Sequence, residues 1–227
     1  MTLTLGLAFG QNFSYPTIKS NGQSITNFIP DGWKVLDSAS GDLNGDKHAD
    51  IAFILQHRDS VGVVKTENGY SDTLITQPRV LVLGFYNGET KQYDLVEQSN
   101  SFILNHDNPN MDEPFQDISI SSGVLKIDFY IWYSMGGWGM STNSYKFRYQ
   151  DNQFQLIGAD YNSSNRSSGE TEDRSYNFLT KKVKVTTGNF STDKHKSLLR
   201  AFDFKELQNL KTFKEPFTYE VEKDFYI

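Results

Sequence analysis

Cysteine is absent from the chain, which excludes disulfides and thiolate metal centres and leaves the redox compartment open. Histidine is nearly as scarce. His48, His57, His106 and His195 are its only four, and they stand too far apart for His-Glu-x-x-His or any similar metal spacing, so each reads as a surface residue. Positive charge is in deficit: 22 Lys and Arg against 28 Asp and Glu leave a net charge of −6. That balance argues against a nucleic-acid partner, whose phosphates call for clustered cations. The only dense basic run, Lys181, Lys182 and Lys184, reads as a solvated strand face. Long hydrophobic runs are missing as well, so no membrane span is expected. The apolar stretch at residues 1–11, from Met1 to Gln11, is too short to cross a bilayer. It resembles the apolar core and cleavage end of a secretory signal, a remnant without the positive leading region, and suggests a secreted or periplasmic protein of a bacterial envelope.

What is abundant points to strands. Aromatic residues make up 14% of the chain, with 17 Phe, 12 Tyr and 17 Gly against 6 Pro, a composition suited to β-structure with many tight turns. After an irregular lead-in over 12–30, Trp33 to Leu36 opens a first strand. Ile51 to Leu55 and Arg79 to Tyr86 are continuous apolar runs of strand length, the pattern of strands covered on both faces. The second run enters Asn87-Gly88, a strong hairpin signal. Asp59 to Gln77 is polar and reads as a long loop or a poorly covered hairpin, and Asp107 to Glu113 reads as a linker.

Beyond it, Leu125, Ile127, Phe129 and Ile131 alternate with Lys126, Asp128 and Tyr130 at period two, giving one core face and one wetter face. The hairpins Phe85 to Val96 and Phe147 to Ile157 share a plan of aromatics around an Asn/Asp turn, a weak internal repeat. Asp160 to Arg174, rich in Ser, Asn and acids, reads as a mobile surface loop. A further hairpin is expected at Tyr176 to Val185, and a short helix within 196–213. The expected fold is all-β: antiparallel meanders forming two packed sheets or propeller-like units, with at most one short C-terminal helix. Residues 31–106 would form a first meander and 107–227 a second, together one compact domain.

One stretch carries specific chemistry. In Gly41-Asp42-Leu43-Asn44-Gly45-Asp46-Lys47-His48-Ala49-Asp50, Asp42, Asn44 and Asp46 hold the first, third and fifth places of a loop. The His48 carbonyl falls at the seventh place and Asp50 at the ninth. Calcium takes six to eight oxygens, best supplied by alternate residues of a tight loop. The bland alternative is an Asx-rich turn whose side chains bond their own backbone amides.

The loop resembles the Asp-x-Asn-x-Asp-x-x-x-Asp calcium loops of FG-GAP and VCBS repeats. That resemblance implies Asp42, Asn44, Asp46, His48 and Asp50 as ligands of a stabilising Ca2+. Lys47 stands where the commonest loops have Gly, and Phe53 stands where an EF-hand would place its bidentate Glu. Only one copy is present, whereas a propeller would need several. The longer pattern, including Ile29 to Trp33, Pro78 to Leu81 and Tyr176 to Thr180, resembles a group of short secreted bacterial proteins with a single such loop, which implies no activity.

Tyr130, Trp132, Tyr133 and Trp138 form an aromatic, Gly-rich stretch that reads either as a sugar-stacking face or as core. The carboxylate pairs Asp112/Glu113 and Glu170/Glu172 are candidates for glycoside hydrolysis only if a cleft brings them together. No other catalytic constellation is present. The expectation is therefore a non-enzymatic binding or structural module with a glycan or protein ligand, the alternative being a carbohydrate-active hydrolase or glycan-binding protein using the face around Trp132 and Trp138.

Overall fold

The computed structural model describes residues 13–67, 70–192 and 194–227, with the side chains of 65–72 excepted. The apolar run read as a signal remnant lies outside the described residues. In chain order the elements are β1 (Asn21–Gly22), a 3-10 turn (Ile25–Phe28), β2 (Trp33–Gly41), β3 (Asp50–His57), β4 (Val61–Glu67), β5 (Tyr70–Thr76), β6 (Arg79–Asn87) and β7 (Gln92–Ser99). They continue with β8 (Phe115–Ser121), β9 (Val124–Trp132), β10 (Gly139–Gln150), β11 (Gln153–Asn165), β12 (Glu170–Asn177), β13 (Lys182–Asn189), β14 (Lys194–Ala201), β15 (Glu220–Glu222) and β16 (Phe225–Tyr226).

Twelve of these strands build two antiparallel sheets, a five-stranded one in the order β1-β7-β6-β3-β2 and a seven-stranded meander in the order β14-β13-β12-β11-β10-β9-β8. The sheets pack face to face. Ala52, Ile54, Leu81 and Leu83 from one and Leu125, Ile127, Phe147 and Leu156 from the other belong to a single buried core. The opposite faces of β3 and β6 are covered too: Phe53, Leu55, Val80 and Val82 pack with Ile18, Phe28 and Trp33. This double covering is what the uninterrupted apolar runs called for.

The two hairpins of similar plan meet across the sandwich. The Phe85 ring lies edge-on to Tyr149 at 4.8 Å and 6.0 Å from Phe154. Where β2 approaches β8, Gly41 is required for space, since a Cβ there would fall 2.7 Å from the Ile120 side chain.

The crossover between the sheets is packed ahead of the 107–113 stretch expected as a linker, and that stretch is itself tied down at its end, by Glu113. Phe102 is fully buried, with its ring centroid 5.2 Å from Phe147 and 5.5 Å from both Tyr145 and Phe213. Arg79, only 3% exposed, donates to both carboxylate oxygens of Glu113 at 2.6 and 2.8 Å and to the Leu104 carbonyl at 2.7 Å. Burial alone would raise the Glu113 pKa, but the hydrogen bonds and charge of Arg79 outweigh it and hold the carboxyl below its usual range.

Two expectations are corrected. The polar stretch 160–174 is strand rather than loop over most of its length, because β11 and β12 run on in register from Gly158↔Asn177 to Ser164↔Thr171. The helix expected in 196–213 does not form. Residues 194–201 pair along β13 as a strand, satisfying that strand's backbone groups. The segment that follows runs irregularly to bury Phe202, Leu210 and Phe213. The polar stretch 59–77 proves to be the hairpin β4–β5, a two-stranded sheet of its own. No helix among the described residues is long and apolar enough to cross a membrane.

Candidate functional site

The loop between β2 and β3 is built by its own side chains. Asp42 Oδ1 accepts the Gly45 amide at 2.7 Å and Oδ2 the Lys47 amide at 2.9 Å. Asn44 Oδ1 accepts the Asp46 amide, and its Nδ2 donates to Asp46 Oδ2, both at 3.0 Å. Asp46 Oδ1 accepts the His48 amide at 2.8 Å, the main reason its pKa is lowered.

Asp50 differs from the others because it is completely buried. Its Oδ2 accepts the Leu43 amide at 2.8 Å and its Oδ1 the Tyr86 amide at 2.9 Å. It therefore ties the loop to the far end of β6. Burial raises its pKa, opposed by those two amides. Lys47 takes a left-handed φ of 70° and Gly45 one of 84°. The Lys47 conformation is one that glycine would adopt at lower cost.

All side-chain acceptors here are oxygens, as a hard cation requires, so the loop fits calcium in kind. Among the described residues, however, no group of three or more His, Cys, Asp or Glu is arranged to hold a metal ion. The Asx bonds account for the loop's shape by themselves.

The aromatic stretch is divided by strand alternation. Trp132 pairs with Met140 and Tyr130 with Thr142, on the face of the seven-stranded sheet turned away from the five-stranded one. Trp138 is 63% exposed. The Arg166 guanidinium lies over both indoles, 5.1 Å from the Trp132 centroid and 5.8 Å from Trp138, and donates to the Gly137 carbonyl at 3.2 Å. Trp132 and Trp138 thus clamp the 133–138 turn through one cation.

Ile131 and Tyr133 point the other way and open a second site. Register places Ile131, Ser141, Ser163, Glu172 and Thr187 in one row across β9 to β13. The row lies on the face that, further along the same strands, packs on the five-stranded sheet. Here nothing among the described residues covers it, and it floors a cavity of about 700 Å³ that Glu170 also lines. A second cavity of about 680 Å³ adjoins it, walled by Tyr15, Val63, Asn105, Asp107, Glu215 and Phe217. Ile131, Tyr133, Ser141 and Tyr161 line both cavities, so the two form one groove with a shared apolar neck.

No family model, curated protein or solved structure matches the chain. What the groove can do therefore follows from its own chemistry. Glu172 is held at 2.7 Å by Arg174, which also reaches Glu222. Glu170 accepts a hydrogen bond from Ser168 at 2.9 Å. Among the described residues, no histidine, lysine or arginine lines either cavity. No serine or threonine of the lining, among the described residues, hydrogen-bonds a histidine or a carboxylate side chain.

The pair Asp112/Glu113 lies elsewhere, with Glu113 occupied by Arg79. Tyr133 was a candidate within the aromatic stretch, whereas Tyr161, Asp107 and Glu215 were not legible as a site in the sequence. The one signal was Tyr161 among the Ser and Asn residues that end β11, where a core strand would carry Val or Ile.

Proposed function

We propose that this protein is a non-enzymatic, secreted or periplasmic binding module that holds its ligand in the groove beside the sandwich core. One observation carries this reading. The inner face of the seven-stranded sheet runs on past its cover and forms an aromatic-necked groove of two compartments, about 700 and 680 Å³. Each is within the size range of small-ligand sites. The salt-bridged Glu172 and a lining without histidine among the described residues favour binding over catalysis. The Asp42 to Asp50 loop serves the fold, with calcium as its proposed stabilising ion.

The reading is tested by thermal-shift screening of glycans, short peptides and amines against the wild type and Tyr161→Ala. At least one class should raise the melting temperature of the wild type and leave the variant unmoved. Turnover of a glycan during incubation would instead support the hydrolase alternative.

A further inference from the structure

We propose that the ligand of this groove is a linear aliphatic polyamine, bound as a polycation. The inference rests on the reading of the groove as a binding site. It follows from the way charge and apolar surface alternate along the groove.

One compartment carries Asp107 and Glu215, and the other carries Glu170 and Glu172. The neck between them is Ile131, Tyr133 and Tyr161, with Ser141 as its small polar floor. The sequence of chemistry along the groove is therefore acid, apolar and aromatic, then acid. It matches a molecule whose ammonium groups are separated by alkyl chains. Carboxylates at either end would accept charge-assisted hydrogen bonds, and the methylenes between would lie on tyrosine rings whose faces also attract cations.

Among the described residues, no cation competes within the lining. Arg174 is engaged by Glu172 and Glu222, and Lys196, opposite Thr187 on the edge strand, stands beyond the acidic compartment. In the compartment of Asp107 and Glu215, the Oδ1 of Asn105 in the wall is without a donor. Tyr15, beside Glu215, has its phenol pKa raised first by burial and then by that carboxylate. This end of the groove accordingly favours neutral or cationic groups.

The geometry also sets a length. From Glu172 to Ile131 in the neck is three strand spacings, about 14 Å, and Asp107 and Glu215 line the other compartment that the neck joins. A short diamine reaches only one compartment, whereas a tetraamine spans the neck.

Isothermal titration at fixed ionic strength with putrescine, spermidine and spermine tests this, with magnesium as the charge control. The wild type should bind spermine one to one, with affinity falling from spermine through spermidine to putrescine. Glu170→Gln/Glu215→Gln, which alters two exposed carboxylates outside any ion pair among the described residues, should weaken spermine by about tenfold or more. Tyr161→Ala should weaken it as well.

Absence of spermine binding overturns the proposal. So does binding equalled by magnesium, or binding indifferent to these variants, because either would mean diffuse attraction to an acidic surface. If polyamines fail while a peptide or glycan binds in a Tyr161-dependent way, the polyamine assignment falls and the binding groove stands. If every class fails, both fall.

Discussion

The two ends of the seven-stranded sheet are made from the same strands and differ in what covers them. Toward one end, Leu125, Phe147, Leu156 and Val183 belong to the main core and are wholly buried. Toward the other, the same face carries Ser141, Ser163, Glu172 and Thr187, which among the described residues lie open on the groove, with Tyr161 beside them packed edge-on to Phe225 at 5.2 Å. Backbone pairing is continuous through both ends, so strand formation does not depend on burial of the side chains. Stability should then reside in the covered end and recognition in the open one, and mutations should separate the two.

The sharpest separation is Phe102→Ala against Tyr161→Ala. Phe102 has no exposed surface and touches four aromatic rings in the covered region. Its loss should cost about 4 kcal/mol in urea unfolding. Tyr161 is only half-buried at the groove neck, and its truncation should cost about 1 kcal/mol or less while removing ligand binding. Equal stability losses would mean that the open end contributes as much to folding as the core does.

Next in size is Glu113→Ala. It would strand the buried Arg79 guanidinium without its bidentate partner, at a cost of about 3 kcal/mol. The pH dependence carries the same mark. Glu113 and Glu222 both have lowered pKa values, because burial, which would raise them, is outweighed by Arg79 in one case and by Arg200 and Tyr176 in the other. Their contribution is therefore present above the unfolded glutamate pKa and is lost as pH falls through the lowered folded values.

Asp50 runs the other way. Burial raises its pKa, so its effect on stability grows less favourable as pH rises from the unfolded aspartate value through the raised folded one. Asp50→Asn should cost about 2 kcal/mol at pH 7, because one buried amide loses its acceptor. It should also make stability climb more steeply just above about pH 4. A melting curve against pH with unchanged slope would show that Asp50 is not the titrating group.

These contrasts explain what was readable in the chain. The covered strands announced themselves, because Ile51 to Leu55 and the alternation from Leu125 to Ile131 are consequences of burial. The open end gave a misleading signal. Residues 160–174 are polar because their strand faces are wet, and polarity without periodicity is also the signature of a loop. Leu198 and Phe202 suggested a helical stripe, yet Leu198 is exposed on an edge strand while Phe202 enters the core. Spacing cannot distinguish those fates without the neighbouring strand. The groove was hidden for a different reason: Asp107, Tyr133, Tyr161 and Glu215 come together only through the crossover and the sheet's overhang.

The smallest expected effects lie in the β2–β3 loop, where the Asx-bonded turn and the calcium loop make different predictions. Lys47 holds a left-handed conformation that costs a non-glycine residue about 1–2 kcal/mol, partly offset by the greater freedom glycine has in the unfolded chain. Lys47→Gly should therefore stabilise the protein by up to about 1 kcal/mol in chelator, whether or not an ion binds. Calcium adds a second measurement. If Asp42, Asn44 and Asp46 hold it, the ion raises the melting temperature of the chelator-treated wild type. It does so more in Lys47→Gly, which has lost a nearby positive charge, and not at all in Asp46→Ala. A gain from Lys47→Gly with no calcium response in any of the three would remove the ion and leave a turn held by its own amides, with Asp50 as its anchor to β6.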